Sequence, residues 1–486
     1  MKRTLQVDGI EVSGDHHIAG RRVGSDTGLV VHSPLDWSRP LGEVARGDAT
    51  TAEAAVVAAS AAFADWAGLA AAGRARHLAR LAEVIDSHIE QLARIECIDC
   101  GLLLESLRLR MIPRGARNFR SYAELAAGYV ERDWISNNTR NRVIRMSAGP
   151  AVIITPWNAP FMLATWKVAP ALAAGNTVIL KPAEWAPMSA SLLADLTLEA
   201  GLPPGVFNVV QGIGEEVGAA LVRDPRVRRI SFTGSTVTAR HIGRAAAENI
   251  VPFTAELGGK GALVIFADSD LAAAAKKAAG QYDDSGQVCL AGTRLLVEAS
   301  VRKEFLRLFH QHVDAHVMGD SRDPRTTMAP LIHPEHLARV EAFVERARRA
   351  GDQVLRGGRV HRSGGLWYEP TLIAPASNRS EIVQQEVFGP VLTLQTFADE
   401  TEAVELANST SYGLSAILYT SSAARAERVG RALRAGVVWA NCFLVRDLTA
   451  PFGGIGLSGI GREGGDYALD FHSDLKTLQI LEGSVR

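Results

Sequence analysis

The chain has 486 residues, more than one hydrophobic core supports, so two or three domains are expected. Apolar residues make up 47% and charged residues 22%, the range of a soluble globular protein. With 52 basic residues against 53 acidic ones the net charge is -1, which excludes an electrostatic footprint for nucleic acid or an anionic membrane and leaves any anion binding to a local site.

The N-terminal stretch MKRTLQVDGIEVSG holds two basic residues but no apolar run of signal-peptide length. The longest apolar region, 151–180, is interrupted by Pro156, Asn158, Pro160, Lys167 and Pro170, and spanning a bilayer takes roughly twenty unbroken apolar residues. The chain reads as cytoplasmic, with no membrane partner. Its cysteines, Cys97, Cys100, Cys289 and Cys442, are too few for a disulfide framework and read as reduced thiols.

Residues 51–95 are rich in Ala, Leu, Glu and Arg at helical spacing and predict two helices, the first capped by Thr50 or Thr51. Cys97 and Cys100 fall on one face of a helical stretch. No second Cys or His pair lies nearby, so buried thiols are expected there and no metal. A further helix is expected from Ile112-Pro113, since proline suits a helix's first turn.

From Ala151 the pattern changes to short β-rich runs alternating with helical ones: AVIIT, TVILK, VFNVV and RRISF, each followed by a helix. That alternation predicts an α/β fold with a parallel sheet covered by helices on both faces. Ligands in such sheets sit beyond the carboxyl ends of the strands. Thr155-Pro156-Trp157-Asn158, Lys181 to Glu184 and Thr233-Gly234-Ser235 are therefore candidates for the site. A second alternating region runs from Gly261 to about Trp439, and Gly258-Gly259 marks the boundary as a hinge.

Three local patterns point to a dinucleotide, each with an ordinary structural alternative. GIGEEVG (Gly212, Gly214, Gly218) misses the G-x-G-x-x-G spacing by one residue, and helix–strand packing explains its glycines equally well. ISFTGST ends a strand at Gly234 and places Ser235 at a helix N-terminus, suited to a pyrophosphate or to a plain N-cap. Glu184 after Lys181 could accept from both ribose hydroxyls of NAD and repel the 2′-phosphate of NADP, or the two could form a surface ion pair. Cys289, in the polar loop DDSGQVCLAGTR, is a candidate nucleophile with Glu256 as base. Asn158 and the Cys289 backbone N–H are candidate oxyanion donors.

TPWNAPF, WKVAPALAAGNTVILKPAE, FTGST, ELGGK, SGQVCLAGTR, EVFGP, APFGG and SGIGREGG occur in an order that resembles the aldehyde dehydrogenase superfamily over almost the whole chain. The resemblance implies a Rossmann-like cofactor domain (1–126 and 148–257), a catalytic α/β domain (258–465) and a small bridging β element (127–147 with 466–486). Through that element the family forms dimers or tetramers. It implies NAD as cofactor, Cys289 as nucleophile, Glu256 as general base, Asn158 as oxyanion donor and Lys167 near the proton route. Around the cofactor it implies Thr155, Pro156, Trp157, Lys181, Glu184, Gly212, Phe232, Gly234, Ser235 and Leu257, with Glu386 and Phe388 at the nicotinamide ribose and ring. Ala239, Gly261 and Asp284 depart from the family's usual Gly, Asn and Asn.

ITPWNAPFMLATWKVAPALAAGN, SGQVCL and NCFLVRDLTAPFGG look like the branch that oxidises 2-hydroxymuconic semialdehyde and related ring-cleavage products. Arg446, in the loop lining the substrate entrance, and Arg114, in I-P-R, are expected to bind a substrate carboxylate. The alternatives are pairing of Arg446 with Asp447 or another protein acid, and a neutral aromatic or aliphatic aldehyde. A non-catalytic protein on the same fold is disfavoured because Cys289, Glu256 and Asn158 are all present, and a CoA-acylating enzyme because Glu256 is in place to activate water.

Overall fold

In the computed structural model residues 2–362 and 364–483 are described. Residues 484–486 of the expected bridging element lie outside them.

The first half is built on an eight-stranded sheet. Its five inner strands, Phe253–Glu256, Arg229–Thr233, Ala151–Ile154, Val178–Lys181 and Phe207–Val209, run parallel in that spatial order. Their side chains are almost all buried, as strands covered on both faces require. From Ala151–Ile154 the chain moves outward through Val178–Lys181 to Phe207–Val209, then returns to Arg229–Thr233 on the other side. That reversal opens a crevice at the carboxyl ends of Ala151–Ile154 and Arg229–Thr233, where Thr155–Asn158 and Gly234-Ser235 follow. Short antiparallel strands Gly459–Ile460, His16–Ile18 and Arg21–Val23 close the edges.

The second region forms a seven-stranded sheet, parallel except for the edge strand Gln353–Arg356. Ala262–Ile265 and Arg294–Glu298 lie at its centre, and Cys289 precedes the second of these. Ser473–Leu481, Thr139–Ser147 and Arg132–Ser136 make a separate antiparallel sheet, paired from Ser473↔Ser147 to Leu481↔Thr139.

The helical expectations need two corrections. Residues 49–100 form three helices rather than two, Ala49–Gly68, Ala71–Ser87 and Ile89–Cys100. The first is capped by Asp48, which accepts from the Thr51 N–H at 2.8 Å, while Thr51 bonds back to the Asp48 N–H. A carboxylate is the better acceptor at a helix N-terminus, so Thr51 becomes the reciprocal partner. The helix expected from Ile112-Pro113 is Ile112–Ala127, with Pro113 in its first turn; it follows directly on helical backbone that runs from Leu104 through a π turn at Leu107–Met111. Pro113 has no N–H for the Leu109 carbonyl, and the wider turn takes up that missing bond.

Cys97 and Cys100 are both buried in the helix Ile89–Cys100, where the Cys100 thiol donates to the Glu96 carbonyl. Close approach requires glycine at both Gly258 and Gly259. A Cβ would lie 1.9 Å from the Glu386 carboxylate at Gly258 and 2.5 Å from the Cys289 carbonyl at Gly259. Gly261 has the same cause: a Cβ there would already sit 2.7 Å from the Ala291 carbonyl.

Candidate active site

The Cys289 loop is shaped by three consecutive left-handed residues, Asp284 (φ 53°), Ser285 (φ 54°) and Gly286 (φ 66°). Asp tolerates that conformation as Asn does, so Asp284 keeps the turn. The Ser285 hydroxyl donates to the Ala329 carbonyl, and Gln287 reaches the Pro330 carbonyl at 3.1 Å and the Ile332 N–H at 3.0 Å. Burial first, then the Glu386 and Glu256 carboxylates, push the Cys289 thiol up to about 12, while Arg446 opposes them. Cys289 rests as a thiol and needs a base.

Asn158 donates its amide to the Gln287 carbonyl at 2.9 Å, which brings it to the Cys289 loop. Glu256 ends its strand with both carboxylate oxygens buried and without hydrogen-bond partners. Burial, with Glu463 next, raises its pKa well above the carboxylate range; Lys167, Arg446 and Arg462 act the other way. A Cβ at Gly453 would come 2.8 Å from Glu256 Oε1, so only glycine lets that loop cover the carboxylate. Lys167, fully buried, pairs with Glu463 and donates to Ser231 Oγ at 3.1 Å and the Phe232 carbonyl at 3.3 Å. Glu463 accepts in addition from the Trp166 indole at 2.7 Å.

Along the crevice, Lys181 Nζ pairs with Glu184 at 2.8 Å, the ion pair of the alternative reading, with the Lys181 side chain 2% exposed and that of Glu184 37%. Ser235 caps the helix Thr236–Glu248 by accepting from the Thr238 N–H at 3.1 Å. Gly234 lies over the Phe232 ring, 2.5 Å from it if it carried a Cβ. Ala239, buried in that helix, packs in one cluster with Phe232 and Ile242. Gly212 (φ 134°) would bring a Cβ to 2.8 Å from the Gly47 nitrogen, so packing alone requires it, and Gly214 lies beside Lys181 Nζ. Thr155 and Leu257 are buried, and their N–H groups donate to Lys181 and Ser458 carbonyls. Pro156 follows Thr155 and leads into Trp157, whose ring meets Phe388 at 5.3 Å and Trp185 at 6.0 Å. Glu386 accepts from the Gly259 N–H at 2.8 Å, and burial pushes its carboxyl up to about 7. Phe388 has φ 59°, a conformation that costs a non-glycine residue roughly 1–2 kcal/mol.

Trp166 is flanked by two guanidinium groups. Arg446 lies 4.9 Å from its ring and 3.5 Å from that of Phe452; Arg114 lies 5.5 Å from Trp166. Arg114 donates to Asn118 at 2.9 Å, and burial followed by repulsion from Arg446 lowers its pKa to about 10. Asp447 is not the partner of Arg446: it accepts from the Thr449 N–H and hydroxyl, both at 2.8 Å. Among the described residues neither arginine has a carboxylate within ion-pair distance.

Residues 23–478 match the aldehyde dehydrogenase family. The chain belongs to that family. It is 38% identical to the 2-hydroxymuconic semialdehyde dehydrogenase of a Pseudomonas strain, over 95% of this chain and 98% of the other. It is also 38% identical to a betaine aldehyde dehydrogenase of Cereibacter sphaeroides, over 97% and 98%. The solved indole-3-acetaldehyde dehydrogenase of P. syringae, in complex with NAD+ and IAA, superposes with a TM-score of 0.94 at 36% identity, over 97% of each chain.

Within this aldehyde dehydrogenase, two neighbours of the site had no role in the sequence reading. Glu463 was visible only as the acid in SGIGREGG, and nothing in that run announces its pairing with Lys167 across nearly 300 positions. Tyr122 is buried against Trp166 at 6.0 Å with an unpartnered hydroxyl, and had no signal beyond helical spacing from Arg114.

Proposed function

We propose that this enzyme oxidises a carboxylate-bearing semialdehyde of the aromatic ring-cleavage type to the acid, with NAD as hydride acceptor. The observation that carries the substrate class is the pair Arg114 and Arg446, half-buried on Trp166 with no carboxylate among the described residues at ion-pair distance. Two half-buried cations repel each other, and an anionic substrate relieves that cost by charge-assisted, bidentate bonding. The same pair opposes a cationic aldehyde. Likeness to the enzyme named for 2-hydroxymuconic semialdehyde supports the reading.

The crevice suits NAD. Glu184 offers a carboxylate to ribose hydroxyls beside buried Lys181, Ser235 opens a helix whose N–H groups favour phosphate, and Glu386 and Phe388 lie near the Cys289 loop. Thr155, Pro156, Trp157, Gly212, Phe232, Gly234 and Leu257 form the walls and floor. When bound, NAD supplies a hydride acceptor.

Glu256 takes the thiol proton of Cys289, and the thiolate adds to the aldehyde carbon. The resulting oxyanion is held by the free amide N–H of Asn158 and the Cys289 backbone N–H. Loss of hydride from that thiohemiacetal leaves a thioester on Cys289. Glu256 then removes a proton from water as it attacks the thioester, the thiolate departs and the acid is released. Lys167, bonded to Glu463, lies on the route by which Glu256 sheds its proton.

The chain acts as a homodimer or homotetramer in the cytoplasm; its free thiols suit a reducing compartment. No single helix among the described residues is long and apolar enough to cross a membrane.

The test compares NADH formation from a muconic-type semialdehyde and from a neutral aldehyde of similar length. Arg446→Ala is expected to cost about 2–5 kcal/mol in kcat/KM for the acid substrate only, the loss typical of removing one partner of a desolvated charge pair. Equal losses on both substrates, or none, would remove the carboxylate role.

A further inference from the structure

The helix Pro334–Arg349 lies behind the segment that carries Glu386 and Phe388. His336 Nε2 meets the Phe388 carbonyl at 2.7 Å. One turn on, Arg339 donates Nη1 to the Val387 carbonyl at 2.8 Å and Nη2 to the Glu386 carbonyl at 3.0 Å. Two side chains three residues apart thus engage three consecutive carbonyls. The next residue, Gly389, presses on Val340 of the same helix, where a Cβ would lie 2.6 Å from its methyl.

His336 is suited to the bond. It is 5% exposed, and its ring packs edge-on against Trp157 at 5.2 Å and lies 6.2 Å from that of Phe388. A carbonyl only accepts, so Nε2 carries the proton. Burial lowers the imidazole pKa to about 4, and the ring stays neutral. Phe388 needs such support because its φ of 59° persists only where the surroundings over-determine it.

We propose that His336 and Arg339 form a carbonyl clamp that sets Glu386 and Phe388 for the nicotinamide-riboside half of NAD. The inference rests on the proposed placement of those two residues at that half of the cofactor. Both clamp members are positioning residues, since they hold backbone and reach neither substrate nor reacting atoms. Without the donors, Phe388 relaxes toward negative φ and its ring leaves the Trp157 face. The adenosine end at Lys181, Glu184 and Ser235 is untouched.

The experiment is titration calorimetry of NAD and of ADP, which lacks the nicotinamide riboside, with the purified full-length enzyme. His336→Phe keeps a ring and loses the donor; it is expected to weaken NAD about five- to tenfold, the loss of roughly one hydrogen bond, and to leave ADP within about twofold. His336→Gln, which can still donate, recovers most of the loss. Arg339→Met, at an exposed position, gives the same selective weakening and serves if His336→Phe does not fold. Unchanged NAD affinity in both variants, or equal weakening of NAD and ADP, overturns the clamp. Phe388→Ala separates the two levels. Selective NAD loss there without any in the clamp variants sinks the clamp alone; no NAD loss there sinks the placement of Phe388 and the clamp with it.

Discussion

Cys289 begins as a half-buried thiol whose proton has a nearby taker in Glu256, itself held well above the carboxylate range. A raised carboxyl pKa keeps the base protonated as pH falls, so its active, ionised fraction grows as pH rises. Turnover is therefore expected to increase from about pH 6 to about pH 9, and Glu256→Gln to lower it about a hundred- to ten-thousand-fold with a flatter profile. A wild-type rate that falls over that range would contradict the assignment. Cys289→Ala is expected to abolish NADH formation while calorimetry still detects NAD binding. At this scale Cys289, Glu256 and Asn158 were legible as candidates because each sits in a distinctive run of residues. Glu463 and Tyr122 were not, because their partners come from other elements.

At the scale of elements, buried acids join the helices that flank the crevice. Glu96, in the helix Ile89–Cys100, accepts from the Phe161 N–H at 2.9 Å at the start of the helix that carries Trp166 and Lys167; Asp99 accepts from the Met188 N–H at 2.7 Å at the start of another. Burial pushes the Glu96 carboxyl up to about 7 from an ordinary value of 4.5, so it folds best protonated. Its stabilising share is fully present below the unfolded value and is lost as pH rises through about 7. The melting temperature of wild type relative to Glu96→Gln is thus expected to fall between pH 5 and pH 8, by the equivalent of about 1–3 kcal/mol. A constant difference would refute this. Asp48→Ala is expected to cost about 1 kcal/mol in chemical denaturation, as loss of an N-cap does. The misreading of that cap has a simple cause: Asp48, Thr50 and Thr51 are all N-cap formers, and only the backbone direction selects among them.

For the whole molecule, the three-stranded sheet leaves Ile135 64%, Leu475 58% and Leu481 53% exposed, with Trp134 and Leu478 beside them. Apolar residues gathered on a small sheet call for a partner. Light scattering is expected to give the wild type a dimer or tetramer mass, and Leu475→Glu with Leu478→Glu a smaller one. A monomeric wild type would dismiss this surface as an interface. The N-terminal strands, from Thr4–Val7 to Asp36–Ala45, had no sequence signal, because short hairpins depend on the edges they meet.

The sequence by itself determined the α/β class, the parallel strands after Ala151 and the candidate reacting groups, since periodicity and local motifs are written in neighbouring residues. Tertiary structure decided what distant residues do to one another. It placed Glu463 on Lys167, left Arg114 and Arg446 with no carboxylate at ion-pair distance among the described residues, and made Gly258, Gly259 and Gly261 points of close contact. Burial, charge pairing and steric closeness arise only when segments remote in the chain meet, and no spacing along one segment encodes them.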